Sequence, residues 1–170
     1  MQWIGALLFI GTTTWIGFEW SNKLNNRPKH IRQVKNALQI LEAEILYSQA
    51  PLQDAFITIA KQIPQPSKSF FHALGLSMKN GNTELPGLWD KNVNDFLRVS
   101  CLGNNESEIL KQFGRTLGQH DFYQQQKYIQ LTLSHLDREL EEARDNQYKY
   151  SKMAKGLGVL CGLFIVLLLI

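Results

Sequence analysis

The charged residues of this 170-residue chain are confined to its middle. All 18 basic and 15 acidic side chains lie between Glu19 and Lys155, so residues 1–18 and 156–170 carry no charge and are mostly apolar. A helix needs about 20 apolar residues to cross a hydrocarbon layer about 30 Å thick. The pattern predicts a transmembrane helix with its basic flank over residues 1–26, a helical domain over residues 27–154 and a second transmembrane helix over residues 155–170.

The residues that border the two apolar ends are mainly basic. Only Glu19 and Asp145 are acidic there, whereas the basic residues are Lys23, Arg27, Lys29, Arg32, Lys35, Arg144, Lys149, Lys152 and Lys155. Because basic residues beside membrane helices mark the cytosolic side, we expect a cell-membrane protein with a cytosolic domain and both termini outside. A cleaved signal peptide is the alternative at the N-terminus, but no basic residue precedes the apolar run and no Ala-x-Ala site follows it.

The distribution of charge also bears on the partners. Residues 36–143 carry 9 basic and 13 acidic side chains, so the excess of positive charge lies next to the apolar ends. Such a basic collar is typical of contacts with lipid headgroups, and no aromatic residues alternate with arginines as they do in proteins that bind single strands. We therefore expect membrane lipid, and no nucleic acid, among the partners.

Small residues recur at a spacing of four in both apolar ends. Thr13 and Gly17 form one such pair, and Gly158 and Gly162 form the other. This spacing allows two membrane helices to approach closely. Glycines that merely face lipid are the alternative.

The apolar residues of the middle follow the helical period, which predicts an all-α bundle of about six helices between the two membrane helices. Arg27–Pro28 predicts a break or kink after the first membrane helix, because the residue before a proline is pushed out of the α region. The predicted core residues are Ile31, Val34, Leu38, Leu41, Ile45, Leu52, Ala55, Phe56, Ile59, Ile63, Phe70, Phe71, Leu74, Leu88, Trp89, Val93, Phe96, Leu97, Ile109, Leu110, Phe113, Leu117, Ile129, Leu133, Leu136, Leu140 and Ala143.

Helix-terminating residues predict a tight hairpin near the end of the bundle. Asn105 and Glu108 have the spacing of a capping box, and Gly118 can adopt the left-handed conformation that ends a helix. Asp121, followed by Gln124, can cap the next helix. No proline follows, so we expect this last bundle helix to continue into the C-terminal membrane segment.

No catalytic constellation is recognisable. A nucleotide-binding loop is missing from the sequence, and the four histidines lie on separate predicted elements without a metal-binding spacing. We expect a non-enzymatic protein without cofactor or metal. An enzyme that acts on lipid through His120 and Asp121 is an alternative, although Asp121 is better explained as a helix cap.

An acidic run on the last helix is a candidate surface for a basic partner. It contains Asp137, Glu139, Glu141 and Glu142. The alternative is a solvated helix face in which Arg138 pairs with Glu142, because these residues are four apart.

The whole chain resembles the stage III sporulation protein AB family of endospore-forming bacteria. The residues that carry the resemblance include Arg27–Pro28, Leu41 to Ile45, Pro51–Leu52 and Trp89, and its most specific stretch runs from Gln112 through Phe113, Gly114, Leu117 and Gly118 to Asp121, followed by Gln125, Gln126, Lys127, Tyr150, Lys152, Met153, Leu157, Gly158 and Gly162. One departure is Ala50, where the family often has a threonine that caps a helix.

The resemblance implies a role in the complex that joins mother cell and forespore after engulfment. The bundle would be similar to the F-type inner-membrane platform of type II secretion and type IV pili. The protein would lie in the mother-cell membrane facing the forespore, with its bundle in the cytosol. Its partners would be the other subunits of the complex and a cytosolic motor ATPase of the sporulation AA type. The alternative is a membrane-tethered adaptor that binds a soluble signalling protein.

Overall fold

A computed structural model describes the backbone of residues 2–81, 84–118 and 121–169, and the side chains of residues 22–81, 84–118, 121, 123–150 and 153. These residues form six α-helices and one π-helical turn, and no strand occurs among them, which confirms the predicted all-α class. The helices are α1 (Gln2–Ala43), α2 (Leu52–Gln62), α3 (Ser67–Lys79), α4 (Leu85–Val99), α5 (Asn104–Thr116) and α6 (Phe122–Leu169), and the π-helical turn Glu44–Ser48 follows α1.

The helices pack around one core. α1 lies against α6, and each of α2 to α5 packs against the next helix along the chain. α1 and α6 are antiparallel, because Asn25 pairs with Gln147 whereas Glu42 pairs with Gln130. The predicted core residues are buried, except that Leu52, Leu97 and Ile109 are only partly buried at its edge.

α1 does not end at Arg27–Pro28. Pro28 lies inside the helix, so the predicted break at this position is wrong, and a single helix replaces the two that the sequence predicts there. A proline inside a helix removes one backbone hydrogen bond and costs about 3 kcal/mol or more. Tertiary contacts on both sides offset this cost, because Arg27 is held by two carboxylates and Ile31 is completely buried.

Trp89 anchors the core from α4. Its indole is completely buried, and Nε1 donates a hydrogen bond to the Leu110 carbonyl of α5 over 2.7 Å. Its ring meets that of Phe113 edge-to-face, with 5.5 Å between the ring centroids. Gly114 lies directly against the indole, since a Cβ atom there would come within 2.6 Å of Nε1. The close approach of α4 and α5 therefore depends on the missing side chain of Gly114.

The turn between α5 and α6 has the geometry that the sequence predicts. Leu117 is buried, and Gly118 has a φ of 78°, in the left-handed region. Asp121 Oδ1 accepts a hydrogen bond from the backbone N–H of Gln124 over 2.8 Å, so Asp121 caps α6. α6 then runs without interruption for 48 residues to Leu169.

Candidate functional site: an arginine-centred junction of three helices

Arg27 joins α1 to α5 and α6. Its Nε donates a hydrogen bond to Glu106 Oε1 over 2.8 Å, and its Nη2 donates to Glu139 Oε2 over 2.9 Å. A third carboxylate, that of Glu142, lies 3.6 Å from Nη1. The planar guanidinium has five donors in a fixed fork, so it can bind several carboxylates at once, which a lysine ammonium cannot do with the same geometry. We call Arg27, Glu106, Glu139 and Glu142 the arginine junction.

Two of the three carboxylates are withdrawn from water. Glu106 is completely buried, and Glu139 is only 7% exposed. A buried charge is costly unless it is paired and hydrogen-bonded. Besides Arg27, Glu106 accepts from the Gly103 N–H over 2.7 Å, and Glu139 accepts from Asn105 Nδ2. Removal of Arg27 would therefore leave two buried carboxylates without their cation.

Glu106 occupies this position because of how α5 begins. The helix starts after Gly103, and Glu106 is its third residue, from which its side chain reaches back to the Gly103 N–H. A carboxylate in the first helical turn is also favoured by the helix dipole. The predicted capping pair of Asn105 and Glu108 is therefore wrong by two residues. Gly103 has no side chain, so only the glutamate half of a capping box forms.

The structure places the acidic run of α6 in several different roles. Glu139 is buried in the arginine junction, Glu142 is exposed at its edge, and Asp137 forms an ion pair with Lys35 of α1. Glu141 is exposed. The four residues therefore do not form one acidic surface. The alternative pairing of Arg138 with Glu142 does not form either, and the Arg138 guanidinium lies 3.3 Å from His135 Nδ1.

Polar pairs hold α1 and α6 together along their length. Asn25 pairs with Gln147, Lys35 with Asp137, and Glu42 with Gln130 and Gln126. As the residue number rises along α1, the number of its partner in α6 falls by the same amount, so the register of the two helices is nearly constant. The two helices that lead to the apolar ends of the chain are therefore joined as an antiparallel pair.

A cleft opens beside the arginine junction. It has a volume of about 320 Å³ and is lined by residues of α1, of the α4–α5 connection and of α6, namely Lys23, Leu24, Arg27, Cys101, Gly103 and Tyr150. Burial raises the pKa of the Cys101 thiol, and the nearby charge of Lys23 opposes this shift. The Cys101 thiol is therefore held in its neutral, poorly nucleophilic form.

His30 supports the wall of this cleft from α1. Its Nδ1 accepts a hydrogen bond from the backbone N–H of Cys101 over 2.9 Å. Burial, and to a smaller extent the charge of Lys29, lowers the pKa of His30 below its ordinary value of 6.5. The neutral imidazole is the form that can accept this hydrogen bond.

The candidate catalytic pair of His120 and Asp121 is described only in part. Asp121 serves as the cap of α6, and His120 lies outside the described residues. In the part of the chain that the structure describes, no three His, Cys, Asp or Glu side chains are arranged to hold a metal ion.

The predicted packing residues of the apolar ends, Thr13, Gly17, Gly158 and Gly162, have side-chain positions outside the described residues. Among the residues that are described, no helix is both long and apolar enough to cross a membrane.

Sequence reasoning missed the partners of Arg27, although a signal was present. Glu106 lies four and seven residues before Leu110 and Phe113, and Glu139 lies three residues after Leu136. Each glutamate therefore falls on an apolar stripe that faces the core. A charged residue on such a stripe needs a buried partner, and Arg27 is the partner that both glutamates share.

Comparisons with known proteins agree on one family. The family model described as stage III sporulation protein AB matches residues 2–170. The stage III sporulation protein AB of Bacillus subtilis (strain 168) is 41% identical over 169 residues, which cover 99% of each chain. A solved structure of a stage III sporulation protein AB is 40% identical and superposes with a TM-score of 0.68, covering 73% of this chain and 98% of the other. The chain belongs to the stage III sporulation protein AB family.

Proposed function

We propose that this protein is a non-enzymatic assembly platform in the transenvelope complex that joins mother cell and forespore during sporulation. The observation that carries the proposal is the arginine junction, which ties the antiparallel pair α1 and α6 to the rest of the bundle through two buried carboxylates. Such a linkage suits a protein that holds or transmits position. Membership of a sporulation family supports the biological setting.

The platform is anchored in the mother-cell membrane by residues 1–26 and 155–170, and residues 27–154 form its cytosolic bundle, with both termini outside. α1 and α6 continue as helices toward these ends. We propose that these boundaries mark the membrane surface, since no helix end coincides with them. Movement of one terminal helix would then be passed to the bundle through the arginine junction.

The two membrane segments pack against each other in the register of the bundle. Gly17 lies five helical turns before Lys35, and Gly162 lies about seven turns after Asp137, at 3.6 residues per turn. Because Lys35 and Asp137 pair, helical periodicity would place these glycines on the faces along which α1 and α6 meet. Close approach of small residues then stabilises the pair in lipid.

The register can be tested by oxidative cross-linking in native membranes, with both native cysteines replaced by serine. Cysteines at Thr13 and Gly158 are expected to form a disulfide, because the constant register brings these positions to the same level. The matched control combines Gly158→Cys with Trp15→Cys, which lies on the opposite face of the helix and is expected not to cross-link. Equal cross-linking of the two pairs would contradict the register.

The platform acts with other subunits of the complex and with a cytosolic motor ATPase of the sporulation AA type. Affinity purification of the tagged full chain from sporulating cells is expected to recover both. Replacement of residues 27–154 by a flexible linker, with both ends retained, should abolish assembly of the complex. Retained assembly would refute the platform, and recovery of a soluble signalling protein alone would favour the adaptor.

A further inference from the structure

A shallow groove lies between α5 and α6. Residues of both helices line it, including Ile109 and Gln112 from α5 and Leu131 from α6. Leu131 is 51% exposed although it lies next to the partly buried Ile109. The free volume of the groove is about 50 Å³. This is far below the roughly 300 Å³ of a small-molecule pocket, so the groove has room for an inserted side chain and not for a metabolite.

Three basic side chains lie on the two helices that form the groove. Lys127 and Arg138 lie on α6 on either side of Leu131, and Arg115 lies on α5. All three are exposed, and none of them forms an ion pair with a carboxylate among the described residues. Besides the buried Glu106, α5 carries one carboxylate, that of the exposed Glu108. Residues 36–143 as a whole carry more acidic than basic residues, whereas these three cations outnumber the one exposed carboxylate of α5, Glu108.

We propose that this groove is a docking site for an acidic amphipathic helix of a partner protein. Two antiparallel helices present a groove into which the side chains of a third helix can pack. Leu131 and Ile109 would contact the apolar face of the incoming helix. Lys127, Arg138 and Arg115 would pair with carboxylates along its edges. The surface and the chemistry of its partner do not depend on whether that partner is a motor ATPase.

The charge of the groove makes the proposal specific. Complementary charges at the rim of an interface speed association and reject partners of the wrong sign. A basic helix with the same apolar face would be repelled by Lys127, Arg138 and Arg115 and should bind poorly. The interaction should also weaken as the salt concentration rises, because exposed charge pairs are screened.

Binding can be measured with the full chain in nanodiscs of uncharged lipid and a fluorescent synthetic peptide as the probe. The peptide is an amphipathic helix with leucines on one face and glutamates on the other, and its counterpart carries lysines in place of the glutamates. We expect the acidic peptide to bind at least about tenfold more tightly than the basic one, with an affinity that falls at high salt. Equal affinity for the two peptides would overturn the proposal.

Charge reversal locates the binding surface. The double variant Lys127→Glu/Arg138→Glu is expected to weaken binding of the acidic peptide about tenfold or more. The matched control, Lys91→Glu/Arg98→Glu, makes the same change at exposed positions of α4 and should leave the affinity unchanged. Leu131→Ser tests the apolar strip without changing charge and is also expected to weaken binding. An equal effect of the α4 control, or no effect of the groove variants, would overturn the proposal.

Two further measurements distinguish other occupants. If the chain binds anionic lipid vesicles and Lys127→Glu/Arg138→Glu (the groove variant) loses this binding, the proposal is overturned in favour of a membrane surface. Concentration-dependent dimerisation that is lost in the same variant would overturn it in favour of a second copy of this chain. With a partner helix as the occupant, neither property should change between the groove variant and the α4 control. Unchanged helical content and thermal unfolding show that each variant is folded.

Discussion

Replacement of Arg27 by methionine should destabilise the bundle strongly, because two buried carboxylates lose their common cation. Breaking a buried ion pair by removing one partner costs about 3–5 kcal/mol. Glu106 is completely buried, but the Arg27 side chain is 19% exposed beside a cleft that water can enter. We therefore expect the free energy of unfolding to fall by about 3 kcal/mol, the lower end of this range, which changes the folding equilibrium constant about a hundredfold.

The loss can be measured by urea unfolding of the full chain in mild detergent, followed by circular dichroism. Arg98→Met is the matched control, because the side chain of Arg98 is 81% exposed and lies 3.9 Å from Asp95. Such an exposed pair contributes at most about 1 kcal/mol. If Arg27→Met costs no more than Arg98→Met, the arginine junction does not stabilise the bundle as described.

A second variant separates charge from packing. Addition of Glu106→Gln to Arg27→Met removes one of the buried charges that the first substitution leaves uncompensated. The amide oxygen of glutamine can still accept the hydrogen bond from the Gly103 N–H, so the helix cap is retained. We expect the double variant to be more stable than Arg27→Met alone. Equal or lower stability would indicate that the loss comes from packing around the Arg27 side chain.

Three further predictions follow from the described contacts. Gly114→Ala should lower the free energy of unfolding by about 1–3 kcal/mol, because the added methyl group overlaps the Trp89 indole. An unfolding temperature equal to or above that of the native chain would contradict this. Asp121→Ala should cost about 1 kcal/mol through loss of the α6 cap, whereas Asp121→Asn should cost much less. Burial lowers the pKa of His30 in the folded chain, so its protonation favours the unfolded chain. The free energy of unfolding should therefore fall as the pH drops below 6.5. His30→Gln should remove part of this pH dependence.

The helical elements of the bundle could be predicted from sequence because their signals are local. Gly118 and Asp121 define the turn before α6 through their own backbone and side-chain preferences. Trp89 and Phe113 lie on apolar stripes, and both are buried. These features require only neighbouring residues, so one sequence is enough to find them.

Predictions failed where distant residues decide the outcome. Pro28 is a local signal for a break, but contacts of Arg27 with residues 79 and 112 positions away keep α1 continuous. The acidic run that contains Glu139 predicts either a surface for a basic partner or a solvated helix face, and Glu139 is in fact buried. Its true surroundings depend on α1, which lies more than a hundred residues earlier in the chain.

The sequence by itself determined the all-α class, the core-facing stripe of each bundle helix, the confinement of charge to the middle of the chain and, through its motifs, the family. Only the tertiary structure decided that Arg27 joins Glu106 to Glu139, and that Lys127, Arg138 and Arg115 have no carboxylate partner among the described residues. The physical reason is that helical periodicity arises from contacts within a few residues. A buried ion pair is stable only where packing brings distant charges together and removes them from water.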